Sequence, residues 1–392
     1  MTSVPPPSEF SWLGPVRTPR IWTGLWQLSS SAWGSADVED IKQNLRKLVD
    51  SGHGEHHQAL NYNQWDLNVQ HSTFESFIHC LACNKADHYG SAENIIGQFC
   101  REIPDPSQMF IATKWCVFHK CVPTREVVLE AVKARLRDLQ TTRIDLLQFH
   151  WQDYNDKGYL DALQHLQSFQ ADGYISNIGL CNFDTRRTDE ICTVLGPGAI
   201  VSNQVQVRNS NSDNSILDYV ADCSRQFSII DTRPLHGMGD VCMKHGLKLL
   251  TYGTLCGNFL TDKWLGKPLP DPYGEGNALT PSQRKARNPH SDTQLPAILN
   301  SSLLRVLRVI GDRHGGRSIA NIATRWVLDH PFVGAVLIGA RLGVSEHFAD
   351  NAKVFNFRLT PQDRADIEDV LASSNSRRLI TSIGDCGAEY RA

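Results

Sequence analysis

The chain repeats one pattern: a short apolar run stops on a polar residue, and a stretch with helical spacing follows. Ile111-Ala112-Thr113 stops on Lys114, and Leu147-Gln148-Phe149 stops on His150. Ile175-Ser176-Asn177-Ile178-Gly179-Leu180 leads to Cys181 and Asn182, Ala199-Ile200-Val201-Ser202-Asn203 leads to Gln204, and Leu247-Lys248-Leu249-Leu250-Thr251 leads to Tyr252. Runs this short and this apolar are the mark of strands buried on both faces, as in a parallel sheet. Between them, Arg125 to Leu139 sets Val128, Leu129, Val132, Leu136 and Leu139 on one helical face. Tyr159 to Ala171 repeats the spacing with Leu160, Leu163, Leu166 and Phe169. The alternation predicts an α/β fold of parallel strands joined by crossover helices. Polar residues at successive strand ends favour a closed (β/α)8 TIM barrel, a single domain with its chemistry on the C-terminal rim.

Taken alone, a Lys, His or Gln after a strand is an ordinary loop residue. Lys114, His150, Asn182, Gln204 and Tyr252, at the ends of consecutive strands, converge on one rim, which random loop polarity does not predict. Upstream, Tyr89 stands in Ala86-Asp87-His88-Tyr89-Gly90-Ser91-Ala92-Glu93. A tyrosine, a lysine and a histidine so placed suggest a proton relay for carbonyl reduction. Negative charge grows on the carbonyl oxygen as hydride reaches the carbon, and a positioned acid must deliver a proton there. A phenol with an ordinary pKa near ~10 donates poorly at neutral pH unless an ammonium stabilises its anion. Lys114 can do this for Tyr89, and His150 can hydrogen-bond the same oxygen.

From about Arg20 to about Ser373 the chain resembles the aldo-keto reductases. Gly24-Leu25-Trp26-Gln27-Leu28 resembles the family's first strand, and Asp87-His88-Tyr89-Gly90 with Ser91-Ala92-Glu93 is similar to its catalytic-tyrosine motif. Lys114 and His150 match its lysine and histidine. By the same resemblance, Asn182 and Gln204 hold a nicotinamide carboxamide. The stretch Tyr252-Gly253-Thr254-Leu255-Cys256-Gly257-Asn258-Phe259-Leu260 folds over the pyrophosphate, with Tyr252, Gly253, Leu255 and Gly257 as its contacts. Gly339, Arg341, Glu346 and Asn351 then form the adenosine-phosphate site. The implied cofactor is NADP(H), the implied partner a small-molecule carbonyl substrate, and the implied reaction reduction of an aldehyde or ketone to an alcohol. No Gly-rich dinucleotide fingerprint of the Rossmann type occurs, and the resemblance requires none.

Two segments depart from the family pattern. The family pairs its lysine with an aspartate five positions before the tyrosine, and here that position is Asn84, in Leu81-Ala82-Cys83-Asn84-Lys85. Residues 53–85 show no strand or helix periodicity, so the barrel is expected to lack a strand there. An alternative alignment makes Ser72-Thr73-Phe74-Glu75 that strand, with Glu75 as the acid. Residues 207–226, rich in Asn, Ser and Asp, interrupt a passage that the family runs directly from Val205-Gln206 into Phe227-Ser228-Ile229-Ile230. Every valine codon begins with GT, and a glutamine or lysine codon can end in AG. Both segments therefore read either as retained introns or as loop insertions on a tolerant rim. The absent aspartate keeps a second function open: a catalytically impaired nucleotide-binding member with a regulatory or partner-binding role.

With 392 residues and 41% hydrophobic content, the chain can bury one large barrel. A net charge of −3 supplies no basic field for nucleic acid. No apolar run reaches membrane-spanning length, and residues 1–19 and 374–392 read as tails outside the barrel, the first disordered and without a secretory core. The eleven cysteines form no framework and suit a reducing, cytoplasmic setting. His79, Cys80 and Cys83 hold a zinc-like spacing but no second pair lies nearby, so no metal is expected. Trp33, Trp115 and Trp151 follow strand-like runs, and either wall the substrate pocket or pack beneath the loops. The intron reading is checked on the spliced transcript: a mature message lacking codons 207–226 is expected, and one that retains both segments overturns it.

Overall fold

The computed structural model describes residues 9–25, 28, 35–50, 79–82, 92–205, 228–267, 302–345, 347–372 and 385–386. Eight parallel strands close a barrel: β3 (Ile21–Gly24), β4 (His79–Ala82), β5 (Met109–Val117), β6 (Ile144–Trp151), β7 (Ile175–Cys181), β8 (Ser202–Val205), β9 (Lys248–Tyr252) and β10 (Val333–Gly339). β10 pairs with both β9 and β3, which completes the ring. The (β/α)8 barrel expected from the sequence is the observed fold.

Three expectations are corrected. The barrel does not lack a strand: β4 lies inside the segment read as structureless, joining Thr23 to Leu81 and Leu81 to Ile111 in register. Its four residues are too few for a periodicity to show. The alternative strand at Ser72–Glu75 falls outside the described residues, as does the whole of 207–226. The first barrel strand ends at Gly24, where the resemblance had it begin. Finally, residues 10–19, expected in a disordered tail, form an antiparallel hairpin of β1 (Phe10–Leu13) and β2 (Val16–Pro19).

That hairpin stoppers the N-terminal end of the barrel. Leu13 packs with Trp22, Phe110, Ala112, Leu146, Val201, Leu250, Ala335 and Leu337, an apolar plug that fills the lower lumen. Gly14 turns the hairpin at φ +56°, and a Cβ there would lie 2.5 Å from Val201 Cγ1, so only glycine fits the approach. The opposite strand faces, with Leu147, Phe149, Ile178, Leu180 and Leu249, belong to a second core beneath the helices. There α3 (Arg125–Asp138) contributes Val128 and Val132, and α4 (Gly158–Ala171) contributes Leu163, Leu166 and Phe169. Thr124 starts α3 by accepting from Val127 N–H, as an N-cap should.

The chain's last long helix, Pro361–Ala372, begins with a reciprocal cap: Asp363 N–H donates to Thr360 Oγ1 at 3.1 Å and Thr360 N–H to Asp363 Oδ2 at 2.9 Å. His314 and Arg313 also reach Asp363, at 2.8 Å and 3.1 Å. Burial raises the Asp363 carboxyl, but hydrogen bonds from His314, Thr360 and Arg313 outweigh it and hold the group at about 2. A depressed carboxyl stabilises the fold fully above its unfolded pKa of ~3.9 and loses that contribution as pH falls toward the folded value. Urea unfolding should therefore show stability declining from about pH 4 toward pH 2 in the wild type, with a shallower decline in Asp363→Asn. Identical acid slopes in the two proteins would remove Asp363 from this role.

Candidate active site

Alternation in the strands decides what the upper lumen contains. Phe110 and Ala112 face inward in β5, so Lys114 does too; Leu146 faces inward in β6, so Gln148 and His150 follow; Leu250 does so in β9, and Tyr252 follows. One contact across the barrel makes the orientation concrete. The ammonium of Lys114 lies 5.8 Å from the Tyr252 ring centroid, although β5 and β9 are on opposite sides of the closed sheet. Each of these strands thus passes from apolar floor to polar rim within a few residues.

Lys114 is 4% exposed, and its backbone is fixed from outside by buried Arg135, whose Nε donates to the Lys114 carbonyl at 2.9 Å. Among the described residues, no carboxylate pairs with it. His150 is equally buried, with Nδ1 2.9 Å from the Cys181 carbonyl oxygen. A carbonyl only accepts, so Nδ1 carries a proton. Nε2 lies 3.2 Å from the side-chain amide of Gln152, which can accept from a cationic ring or, rotated, donate to a neutral one. Phe118 covers the same ring at 5.5 Å between centroids. Sequence reading missed Gln152 and Phe118; the 148, 150, 152 alternation was the available sign for Gln152.

Asn182 takes a left-handed backbone (φ 60°), which asparagine tolerates better than most residues, and its N–H donates to the Gln204 carbonyl at 2.8 Å. Gln204 is fully buried in β8. After Tyr252 the chain curls through Gly253 (φ 75°), Cys256 (49°), Gly257 (67°) and Asn258 (71°). Leu255 lies within this curl, closed by Cys256 N–H to Gly253 oxygen at 2.8 Å and Leu260 N–H to Leu255 oxygen at 3.2 Å. Curled backbone of this kind turns successive N–H groups to one side and suits a bound phosphate. Three consecutive residues, Cys256 to Asn258, take left-handed backbone, and two of them are not glycine.

Gly339 ends β10 beside Gly24. Arg341 begins a tight turn closed by Ser345 N–H to its carbonyl at 2.8 Å, and its Nε donates to Ser345 Oγ at 3.1 Å. Asn351 ends the short helix Phe348–Asn351, which Asn321 anchors through the Asp350 carbonyl. Among the predicted site residues, Tyr89 and Glu346 lie outside the described residues, as do Trp33, Asn84 and Glu75. Trp115 and Trp151 do not wall the lumen. They sit on the outer strand faces within the helix-covered core, where the Trp151 Nε1–H donates to the carbonyls of Asp153 and Asp156 at 2.7 and 3.0 Å.

Buried polar residues toward the C-terminal end of a closed barrel, with a curled loop following β9, place the candidate site on the rim where (β/α)8 enzymes carry theirs. The sequence matches the aldo/keto reductase family over residues 20–372, and the chain belongs to that family. It is 24% identical over 367 residues to the aldo-keto reductase YhdN of Bacillus subtilis, covering 92% of each chain. Its fold is similar to that of the glycerol dehydrogenase AKR11B4 from Gluconobacter oxydans (TM-score 0.65, 20% identity, 92% of this chain and 93% of that one). It is also similar to that of the thermostable aldo-keto reductase Tm1743 (TM-score 0.59, 19% identity, 92% and 99%). Members of the family are oxidoreductases that generally use nicotinamide cofactors and act on small molecules. Among the described residues no helix is long and apolar enough to cross a membrane, and no cluster of His, Cys, Asp or Glu is set to hold a metal ion.

Proposed function

We propose that the protein is an NADP(H)-dependent reductase that converts an aldehyde or ketone to an alcohol, with Tyr89 as the general acid. The observation that carries the reading is the convergence of Lys114, His150 and Tyr252 on the mouth of one closed barrel. NADPH supplies the hydride. The chain supplies everything else: Asn182 and Gln204 hold the carboxamide, the curl at 253–258 takes the pyrophosphate, and Arg341 takes a 2′-phosphate through charge-assisted hydrogen bonds. His150 orients the carbonyl oxygen, Lys114 stabilises the phenolate form of Tyr89, and Tyr89 delivers the proton. A cytoplasmic setting belongs to the same proposal, supported by eleven cysteines whose spacing forms no disulfide framework.

Cofactor choice follows from Arg341. Arg341→Ala should raise KM for NADPH at least about tenfold while changing KM for NADH far less, because NADH lacks the phosphate that the guanidinium reads. An equal effect on both cofactors would exclude Arg341. Catalytic strength follows from position 84. A buried lysine without a carboxylate partner is held less firmly in position and supports the tyrosinate less well. Asn84→Asp is expected to raise turnover of a generic aldehyde about a hundredfold, a gain typical of restoring one acid-base element. Tyr89→Phe should abolish activity in both backgrounds. Tight NADPH binding by fluorescence without turnover in either background would instead favour the nucleotide-binding, regulatory reading.

A further inference from the structure

Gln148 is the buried polar side chain that the proposed chemistry leaves unused. It is 1% exposed, it faces the lumen, and neither its amide oxygen nor its amide nitrogen has a hydrogen-bond partner. Buried amides are almost always paired, so such a group calls for a reason. Its register supplies one. β5 and β6 pair Lys114 directly with Gln148, and the row continues through Gly179 to Ser202, whose hydroxyl is also buried and unpaired. Gly179 keeps the row open: a Cβ there would lie 2.5 Å from Ser202 Oγ and 3.3 Å from Leu146 Cδ1. Below the row the lumen is filled largely by Phe110, Ala112, Leu146 and Leu250, and the amide nitrogen of Asn177, which also faces this floor, is taken by the Asp145 carbonyl at 2.9 Å.

We propose that Gln148 is the positioning residue for the Lys114 ammonium, accepting from it through one buried water that Ser202 helps to hold. This rests on the reductase reading above and extends it. An ammonium carries three donors and no acceptor, and an amide oxygen is a good neutral acceptor with two lone pairs. A water between them has the polar partners that an internal water needs, Lys114, Gln148 and Ser202. Where the family sets an aspartate beside its lysine, this chain has asparagine at position 84 and an unpaired glutamine in register with the lysine. The titratable groups near Lys114 on the inner faces of the described strands are Cys116 of β5, His150 of β6, Cys181 of β7 and Tyr252 of β9. None of them is a carboxylate, so the acceptors on these inner faces are neutral, and Gln148 is the amide in register with Lys114.

The test compares wild type, Gln148→Leu and Gln148→Glu by two measurements. Nitrogen NMR of the Lys114 ammonium, taken without substrate, detects slowly exchanging protons only when the group is hydrogen-bonded. Steady-state kinetics with NADPH and a generic aldehyde separate kcat from KM. The wild type should show the Lys114 signal, Gln148→Leu should lose it, and Gln148→Glu should restore it. In parallel, kcat should fall about tenfold in Gln148→Leu with KM nearly unchanged, and return to the wild-type level or above in Gln148→Glu. A signal that persists in Gln148→Leu overturns the assignment, as does a glutamate variant no better than the leucine variant. If the wild type turns over no carbonyl substrate, the reductase reading fails while the NMR comparison still decides the role of Gln148. Should Gln148→Leu not fold, the near-isosteric Gln148→Met, which also removes the amide acceptor, decides in its place: a lost Lys114 signal supports the contact, and an unchanged signal with unchanged kcat overturns it.

Discussion

Closure of a parallel sheet on itself is the constraint from which the rest of this molecule follows. A ring of eight parallel strands has no free edge, so every strand must find a partner on each side. Even a four-residue strand such as β4 becomes indispensable, because the backbone groups of β3 and β5 would otherwise lie unpaired. Closure also forces alternate side chains into a lumen only wide enough for side chains. Apolar ones fill its lower part and the hairpin seals it, which leaves polar residues at the upper end as the one place where the interior meets a ligand.

The same geometry sets the electrostatic problem at the centre of the site. A lysine placed in a closed, apolar-floored lumen gives up water contacts, so the protein must supply partners for its ammonium. Lys114 meets this with the face of Tyr252 from the opposite wall and a backbone clamped by Arg135 from outside. A cation over an aromatic face contributes only about 0.5–2 kcal/mol. The remainder must come from acceptors nearby, and the inner faces of β5 to β8 hold amides and hydroxyls in place of acids.

Legibility from sequence varied with local redundancy. Strands β5, β6, β7 and β9 declared themselves because each is an apolar run longer than a turn, bounded by a helix with clear spacing. His150 and Gln204 could be placed one residue from a strand end for the same reason, whereas β5 runs three residues past Lys114, where the sequence had suggested a stop. β4 and the β1–β2 hairpin did not declare themselves, since four residues carry no period and pairing alone defines them. The tryptophans were ambiguous because one residue's shift along a strand exchanges lumen for helix-covered face, and Trp115 and Trp151 proved to lie on the outer side.

The sequence by itself determined the fold class and singled out polar residues in the C-terminal halves of several strands, because these depend on side-chain type at fixed spacing. It also exposed the asparagine at position 84. The tertiary structure decided which of those residues share a space: that Lys114 reaches Tyr252 across the lumen, that His150 is tethered to Cys181 and approached by Gln152, and that Gln148 lies in register with Lys114. Contacts between opposite or neighbouring strands depend on register and closure, and these are properties of the whole ring that no single segment encodes.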